Sequence, residues 1–163
     1  LIERMLDREG ITGAKRELLL GRYQERRRQL REMLAQGSVQ EILCLPNPEA
    51  VQSGSVKLNL GAEMLEASVS YTPGEYAEHI AAIRELVNGE KNYHLTLLPQ
   101  VPFRELQVFT LKDAVAVLRC QEPYTAFVFK NEILTRSIFS YCDSLIEQFA
   151  ADRYTTMQAL SNV

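Results

Sequence analysis

The feature that most constrains the fold is a clearly marked helix start between two short apolar runs. Thr72 is followed directly by Pro73 and, three residues after Thr72, by Glu75. A threonine cap, a proline in the first turn and a glutamate at the third helical position together satisfy the free amides of a helix start. The flanking runs, Val39 to Leu45 and Tyr93 to Leu98, have the length and composition of strands. A strand, a crossing helix and a second strand predict a parallel pair.

The second half of the chain predicts three more strands and a helix. Turn signals separate the apolar segments Leu106 to Thr110, Ala114 to Cys120 and Thr125 to Phe129, which we interpret as an antiparallel meander. Asn131 then caps a helix whose wide apolar face contains Leu134, Ile138, Tyr141, Cys142, Leu145, Ile146 and Phe149. The chain is therefore expected to have an α/β (α+β) fold. We expect a mixed sheet of about five strands with packed helices, preceded by a long N-terminal connecting helix.

That connecting helix is predicted over residues 12 to 36, from Thr12 to the residue before Gly37. Residues at helix-packing spacing form what we call the helix seam, namely Leu19, Tyr23, Arg26, Leu30 and Met33. We interpret the seam as a homodimer contact or a domain connection, the alternative being that this helix lies on its own domain. The predicted organisation is a helical connector or dimerisation arm at 1–37, an α/β effector domain at 38–152 and a flexible tail at 153–163.

Charge is distributed unevenly along the chain. The formal net charge is −3 for 163 residues, which does not indicate a dedicated nucleic-acid surface. Residues 1–36 nevertheless carry an excess of basic side chains, including the triplet Arg26-Arg27-Arg28, while the remainder is acidic. We favour a solvated helix face with intrahelical ion pairs over an arm that lies against DNA. Because the sequence begins at Leu1 in what resembles the middle of a helix, we expect it to be a fragment.

The cysteines and the absence of long apolar runs indicate a cytoplasmic protein. Cys44, Cys120 and Cys142 are odd in number, widely spaced and in apolar contexts, which is typical of thiols in a reducing compartment. The sequence lacks a C-x-x-C pair, a Cys/His cluster, a secretory signal and a run long enough to span a bilayer. We therefore predict no metal site, no cofactor and no membrane partner.

Few residues are candidates for chemistry. His79 is off the apolar stripe of its helix and is expected to be solvated, while His94 is expected to be a partly buried strand residue. Arg119 alternates with valines in its strand, so its guanidinium falls on an apolar face shortly before Tyr124. A buried arginine requires an anion. Arg119, Tyr124 and His94 are thus candidate ligand-binding residues for an anionic effector, the alternative being an internal carboxylate or a strand end in solvent.

Catalytic motifs are missing from the sequence. It contains neither a G-x-S-x-G elbow nor a phosphate-binding glycine loop. Glu63 and Glu66 are close enough in sequence to chelate a cation, but Met64 and Leu65 between them are typical of an amphipathic surface segment. We therefore predict that the chain is not an enzyme.

The element order is similar to a known type of regulatory domain. The run Tyr93 to Pro99, the segment Val108 to Arg119, the strand Thr125 to Phe129 and the helix through Ile138 to Phe149 resemble the C-terminal effector domains of bacterial helix-turn-helix transcriptional regulators. Those domains have a half-phospholipase-D-like topology, and the resemblance spans roughly residues 38 to 150. The H-x-K-x-x-x-x-D run of phospholipase D catalysis is absent, because neither His79 nor His94 has a lysine two residues later.

This resemblance implies a sensing or assembly domain without chemistry, whose DNA reader precedes Leu1. We therefore expect a non-catalytic regulatory domain of a cytoplasmic transcription factor, acting as a homodimer and binding an unknown small-molecule or protein effector. One alternative is an enzyme whose site assembles in space, in a pocket where His94 or a buried carboxylate meets Arg119. Another is a protein-interaction adaptor, for which a large exposed apolar patch would replace a pocket.

Overall fold

A computed structural model describes residues 1–59, 68–99, 106–111, 114–119, 125–151 and 153–162. The helices in these residues are α1 (Ile2–Arg8), α2 (Gly13–Gln36), α3 (Pro48–Gln52), α4 (Pro73–Gly89), α5 (Glu132–Gln148) and α6 (Arg153–Ser161). The strands are β1 (Val39–Cys44), β2 (Lys57–Asn59), β3 (Ser68–Ser70), β4 (Tyr93–Leu98), β5 (Leu106–Leu111), β6 (Ala114–Arg119) and β7 (Thr125–Phe129). The α/β (α+β) class is confirmed.

The predicted strand–helix–strand unit is present. Strands β1 and β4 pair in parallel, from Val39 opposite Tyr93 to Cys44 opposite Leu98. Helix α4 connects to β4 and begins with the predicted cap: the Glu75 amide donates to Thr72 Oγ1 at 3.2 Å, and the Thr72 amide donates to Glu75 Oε2 at 2.8 Å. The sequence signal at Thr72 therefore correctly located both the helix and the strand topology around it.

The arrangement of the strands into sheets differs from the prediction. The described residues form three small sheets, β1–β4, β2–β3 and β5–β6–β7, instead of one mixed sheet of about five strands. Strands β5, β6 and β7 pair in the antiparallel order expected of a meander. The three strands are close together in the sequence and were predicted as a unit, whereas the sequence contains no signal that assigns the meander to an edge of the β1–β4 pair.

One hydrophobic core lies among α1, α2, α4, α6 and the β1–β4 pair. Met5, Leu6 and Leu19 are almost completely buried in it, together with Tyr76 and Ile80 of α4. The prediction that residues 1–37 form a separate arm is therefore corrected, because α1 and α2 contribute apolar side chains to the same core as the α/β unit. The alternative, that the long helix lies on its own domain, is the observed arrangement.

The predicted flexible tail at 153–163 is also corrected. Its residues include α6, which packs against α4 and β4. Leu160 is only 2% exposed and belongs to the core, and Met157 packs against the same cluster. Two apolar residues one helical turn apart are a short signal, easily overlooked within a polar segment, but their burial fixes the helix on the core.

None of the described helices combines the length and apolarity that a bilayer-spanning segment needs.

Candidate interaction surface

The predicted ligand-binding residues lie in different parts of the fold. Arg119 ends β6, where its backbone pairs with Leu106 and Thr125. The expected contact of its guanidinium with an anion, and Tyr124 altogether, lie outside the described part of the chain. His94 lies on β4 opposite Gln40, in a different sheet from Arg119. It is exposed, so the expectation of a partly buried His94 is corrected.

His79, by contrast, is half-buried in an aromatic cluster that the sequence did not indicate. Its ring centroid lies 5.5 Å from that of Tyr71 and 6.4 Å from that of Tyr76. Burial lowers the pKa of His79, and the nearby charge of Glu41 opposes that effect. The expectation of a solvated His79 is therefore wrong, because Tyr71 enters from the end of β3 and covers one side of α4.

The tyrosines of this region remain protonated. Burial, with a contribution from Cys44, raises the pKa of Tyr76 to about 12. Burial and the charge of Glu41 raise the pKa of Tyr93, whose hydroxyl donates to Glu41 Oε2. Because these groups hold their phenolic protons and burial disfavours the imidazolium of His79, the cluster is suited to packing more than to proton transfer at neutral pH.

Most of the helix seam faces inward. Leu19 is buried in the chain's own core, and Tyr23 and Leu30 are partly buried and pack against that core. Arg26 and Met33 are exposed. The neighbouring basic triplet is a solvated face with intrahelical pairs, as predicted: Arg28 contacts Glu25 at 2.6 Å and Glu32 at 2.5 Å. The dimer contact at the seam stays a prediction, and Arg26 and Met33 are the exposed members of the seam.

The two described cysteines and the acidic side chains do not assemble into a reactive centre. Burial raises the pKa of the Cys44 thiol and of the Cys142 thiol, which disfavours the nucleophilic thiolate. Among the described ranges, no three His, Cys, Asp or Glu side chains are grouped closely enough to hold a metal ion. Cys120, Glu63 and Glu66 lie outside those ranges.

The most distinctive surface belongs to the β5–β6–β7 sheet. Helix α5 packs mainly against β5 and β6. Val115 of β6 is completely buried, so we assign α5 to the sheet face that carries Val115. Val108, Val117 and Phe127 lie on that same face by register. The helix therefore covers one face of two strands and leaves β7 uncovered.

The opposite face of this sheet is apolar and open. Phe109, Ala116 and Val128 lie side by side across the three strands, and we call them the open sheet face. Phe109 is 53% exposed and Val128 is 67% exposed. A strand with apolar side chains on both faces is usually interior. Here Phe127 and Phe129 on the other face of β7 are exposed as well, so β7 presents apolar surface on both sides.

Charge is nearly absent from these strands. Arg119 is the single charged residue in β5, β6 and β7, and Glu132 and Arg136 form an ion pair with each other on the exposed side of α5. Ile133 and Phe139 of α5 are exposed as well. Exposed apolar surface with little charge, as on these strands, is characteristic of a protein contact site.

The sequence contained the signal for this surface in the run Thr125-Ala126-Phe127-Val128-Phe129, which is apolar at odd and even positions alike. The prediction identified it as a strand. The sequence did not predict that β7 lies at the edge of a three-stranded sheet whose other two strands are the ones that α5 mainly contacts.

Comparison of the chain with protein-family models, with curated proteins and with solved structures returned no match.

Proposed function

We propose that this chain is a non-catalytic regulatory domain that works by self-association through the β5–β6–β7 sheet. It would act in the cytoplasm, as part of a transcriptional regulator of the helix-turn-helix type whose DNA reader precedes this segment. A two-fold dimer of such a domain holds two DNA readers at a fixed spacing, which is the mechanical purpose of self-association in these regulators.

The observation that carries the proposal is the exposed apolar surface of β7 and the open sheet face. Phe109, Phe127 and Val128 are each more than half exposed within one small sheet. Soluble monomers rarely expose several large apolar side chains so close together. Burying these side chains against a partner yields roughly 25 cal/mol for each Å² of apolar surface removed from water, so the surface provides a driving force for association.

A second candidate is an adaptor that uses the same surface for a different protein. The exposed apolar patch favours it as much as it favours a dimer, since a patch in place of a pocket is what distinguishes an adaptor. An enzyme with a spatially assembled site has less support, because His94 is exposed and lies in a different sheet from Arg119.

Sedimentation velocity over a range of concentrations tests the proposal. The native chain is expected to sediment as a dimer at high concentration. The substitution Val128→Lys should weaken the dimer by at least about tenfold, or about 1.4 kcal/mol, because it places a charge in the apolar contact. Leu18→Lys is the matched control: Leu18 is 54% exposed on α2, away from the sheet, and should leave the dimer unchanged.

A native chain that stays monomeric at high concentration contradicts the dimer and supports the adaptor. Equal weakening by the Leu18 and Val128 variants contradicts the assignment of the surface. The transcriptional part is tested separately by the sequence that precedes Leu1 in the full-length protein, which should predict a helix-turn-helix; its absence would remove that part and leave self-association standing.

A further inference from the structure

We infer that helix α5 is a lid with two positions on the β5–β6–β7 sheet: the observed one over β5 and β6, and a second one over β6 and β7 that covers Phe127 and Phe129. The two positions differ by one strand spacing, about 4.8 Å. The movement itself does not depend on self-association. Its regulatory effect, which is to close part of the contact surface, rests on the proposed function.

Helix α5 buries little of its apolar face in the observed position. Ile138, Cys142 and Ile146 follow Thr135 at helical spacing, and all three stay partly exposed. Thr135 is the single buried residue of α5, a helix of 17 residues that the structure describes completely. A helix of this length is ordinarily held on its sheet by a stripe of buried apolar side chains. The observed contact between α5 and the sheet is therefore smaller than the apolar face of the helix allows.

The one buried side chain of α5 is polar and lacks a hydrogen bond. Thr135 is 2% exposed, and its Oγ1 has no hydrogen-bond partner among the described residues. A buried hydroxyl without a partner has lost its hydrogen bonds to water without a replacement, which is unfavourable. The observed position of α5 therefore includes an unfavourable contact at its only buried side chain.

Uncovered apolar surface lies directly beside α5 on the same face of the sheet. Phe127 and Phe129 share this face with Val117 and Val115, which are their direct partners on β6. Phe127 is 53% exposed and Phe129 is 38% exposed, and their ring centroids lie 6.2 Å apart. The surface of the two phenylalanines is thus continuous with the surface that α5 already covers on β6.

A shift of α5 by one strand exchanges β5 for β7 and keeps β6 covered. On β5 this face includes Val108 and Thr110, which are only partly buried in the observed position. The second position uncovers these two side chains and covers two phenylalanines, whose apolar surface is larger. The loss on β5 and the gain on β7 oppose each other, which is the condition for a helix with two positions.

The chain connection makes α5 the nearest occupant for the surface of β7. Only Lys130 and Asn131 separate the end of β7 from the start of α5, so the helix begins beside β7 in either position. A segment held this close has a high effective concentration at the neighbouring surface. It therefore competes with a second copy of the chain for Phe127 and Phe129.

Disulfide trapping in the full chain tests whether α5 has two positions. Val108, Val117 and Phe127 form a row straight across the three strands. The two outer members of the row are about 9.6 Å apart at two strand spacings. A disulfide requires Cβ atoms about 3.5 to 4.5 Å apart, so one residue of a fixed helix cannot reach both. Ile138, one helical turn after Thr135, is the common partner.

The double variants are compared below the dissociation constant of the dimer. Ile138→Cys with Val108→Cys should form a disulfide from the observed position, and Ile138→Cys with Phe127→Cys should form one from the second position. Ile138→Cys with Val128→Cys is the matched control, because Val128 is next to Phe127 but lies on the opposite face. Peptide mass spectrometry distinguishes these bridges from any that involve the native thiols of Cys44, Cys120 and Cys142.

Thr135→Val tests the contribution of the unpaired hydroxyl. The substitution removes the hydroxyl with little change of shape and should shift the yield towards the bridge at Val108, because it stabilises the observed position. Ser140→Ala removes a hydroxyl from an exposed residue of the same helix and should leave the two yields unchanged. Equal yields with and without Thr135→Val would contradict the role of Thr135.

The bridge between positions 138 and 127 also tests the regulatory effect. It holds α5 over β7, so the oxidised variant should form the dimer at least about tenfold more weakly than the same variant after reduction, as measured by sedimentation velocity. An equal dimer affinity in the oxidised and reduced forms overturns the regulatory effect.

Bridges at both Val108 and Phe127, each in higher yield than the Val128 control, support the lid. A bridge at one of the two positions alone, or at neither above the control, overturns it and leaves the proposed function intact. A native chain that stays monomeric at high concentration overturns the proposed function, and the two disulfides then decide separately whether α5 moves.

Discussion

At the scale of single residues, the environment of His79 makes the stability of the fold depend on pH. Its ring packs beside Tyr71 and Tyr76, and burial lowers its pKa below the ordinary value. An unfolded chain exposes the same imidazole to water, where it takes up a proton near pH 6.5. The folded state therefore binds this proton less readily than the unfolded state, and folding is favoured where His79 is neutral.

Stability should fall as the pH drops below about 6.5 towards the lower pKa of folded His79, and should be fully present above that range. Replacing the histidine by Phe, as His79→Phe, should remove this part of the pH dependence, because phenylalanine keeps a ring in the cluster without a titrating nitrogen. Urea unfolding at several pH values between 5 and 8 measures it. His94→Phe is the control: it removes the chain's other histidine, which is exposed, and keeps His79, so the loss of stability that His79 causes at low pH should persist.

The two histidines also show that the burial of a single side chain is hard to predict from the sequence. The prediction that His79 lies off the apolar stripe of α4 is wrong: it is three residues from Tyr76 and four from Ile83, which places it at the edge of that stripe. The ring that covers it comes from Tyr71, at the end of another element. Helical periodicity describes one helix at a time, so it cannot predict which neighbour shields a polar face. The same limit applies to His94, which lies on the exposed side of its strand.

At the scale of elements, helix starts were the best-predicted features. The side chains of Thr72 and Asn131 each accept a hydrogen bond from the backbone amide of the third helical residue, as the sequence predicts for N-caps. Thr12 is the N-cap of α2 at the predicted residue, but its side chain makes no capping hydrogen bond. Residue type and position are encoded locally, whereas the side-chain rotamer that completes a cap also depends on the surrounding structure.

This difference gives a matched pair of variants. Thr72→Ala removes an acceptor that the Glu75 amide uses at 3.2 Å, and should lower the free energy of unfolding by about 1 kcal/mol. Thr12→Ala makes the same change at a cap without that hydrogen bond and should cost much less. Urea denaturation of both variants measures the difference. Equal losses would contradict the assignment of the capping box at Thr72.

Helix α6 provides a second prediction at this scale. Leu160→Ala removes a side chain that is 2% exposed, and should lower the free energy of unfolding by about 2 to 4 kcal/mol. Tyr154→Ala changes a residue of the same helix that is 71% exposed and should change stability by less than about 0.5 kcal/mol. Thermal and urea denaturation measure both. Little change for Leu160→Ala would indicate that the C-terminal segment is the flexible tail predicted from its polar composition.

At the scale of the whole molecule, the sequence predicted β1, β4 and the antiparallel meander but neither β3 nor the grouping of strands into sheets. Turn residues fix which strands follow one another, so β5, β6 and β7 were recognisable as a unit. The exposed edge of β7 could not be predicted, because a strand that is apolar on both faces fits the interior of a larger sheet equally well. Its exposure is a property of the assembled chain, and it carries the functional proposal.

Amide hydrogen exchange at two protein concentrations tests most directly whether the chain associates through this sheet. Above the dissociation constant of the dimer, amides of residues 126–129 should exchange more slowly than in dilute solution, because a second copy covers the exposed side chains of β7. Amides of α2 and of the β1–β4 pair should exchange at the same rate in both samples. Exchange in β7 that does not depend on concentration, or protection that appears at the exposed side of α2 instead, would contradict the account.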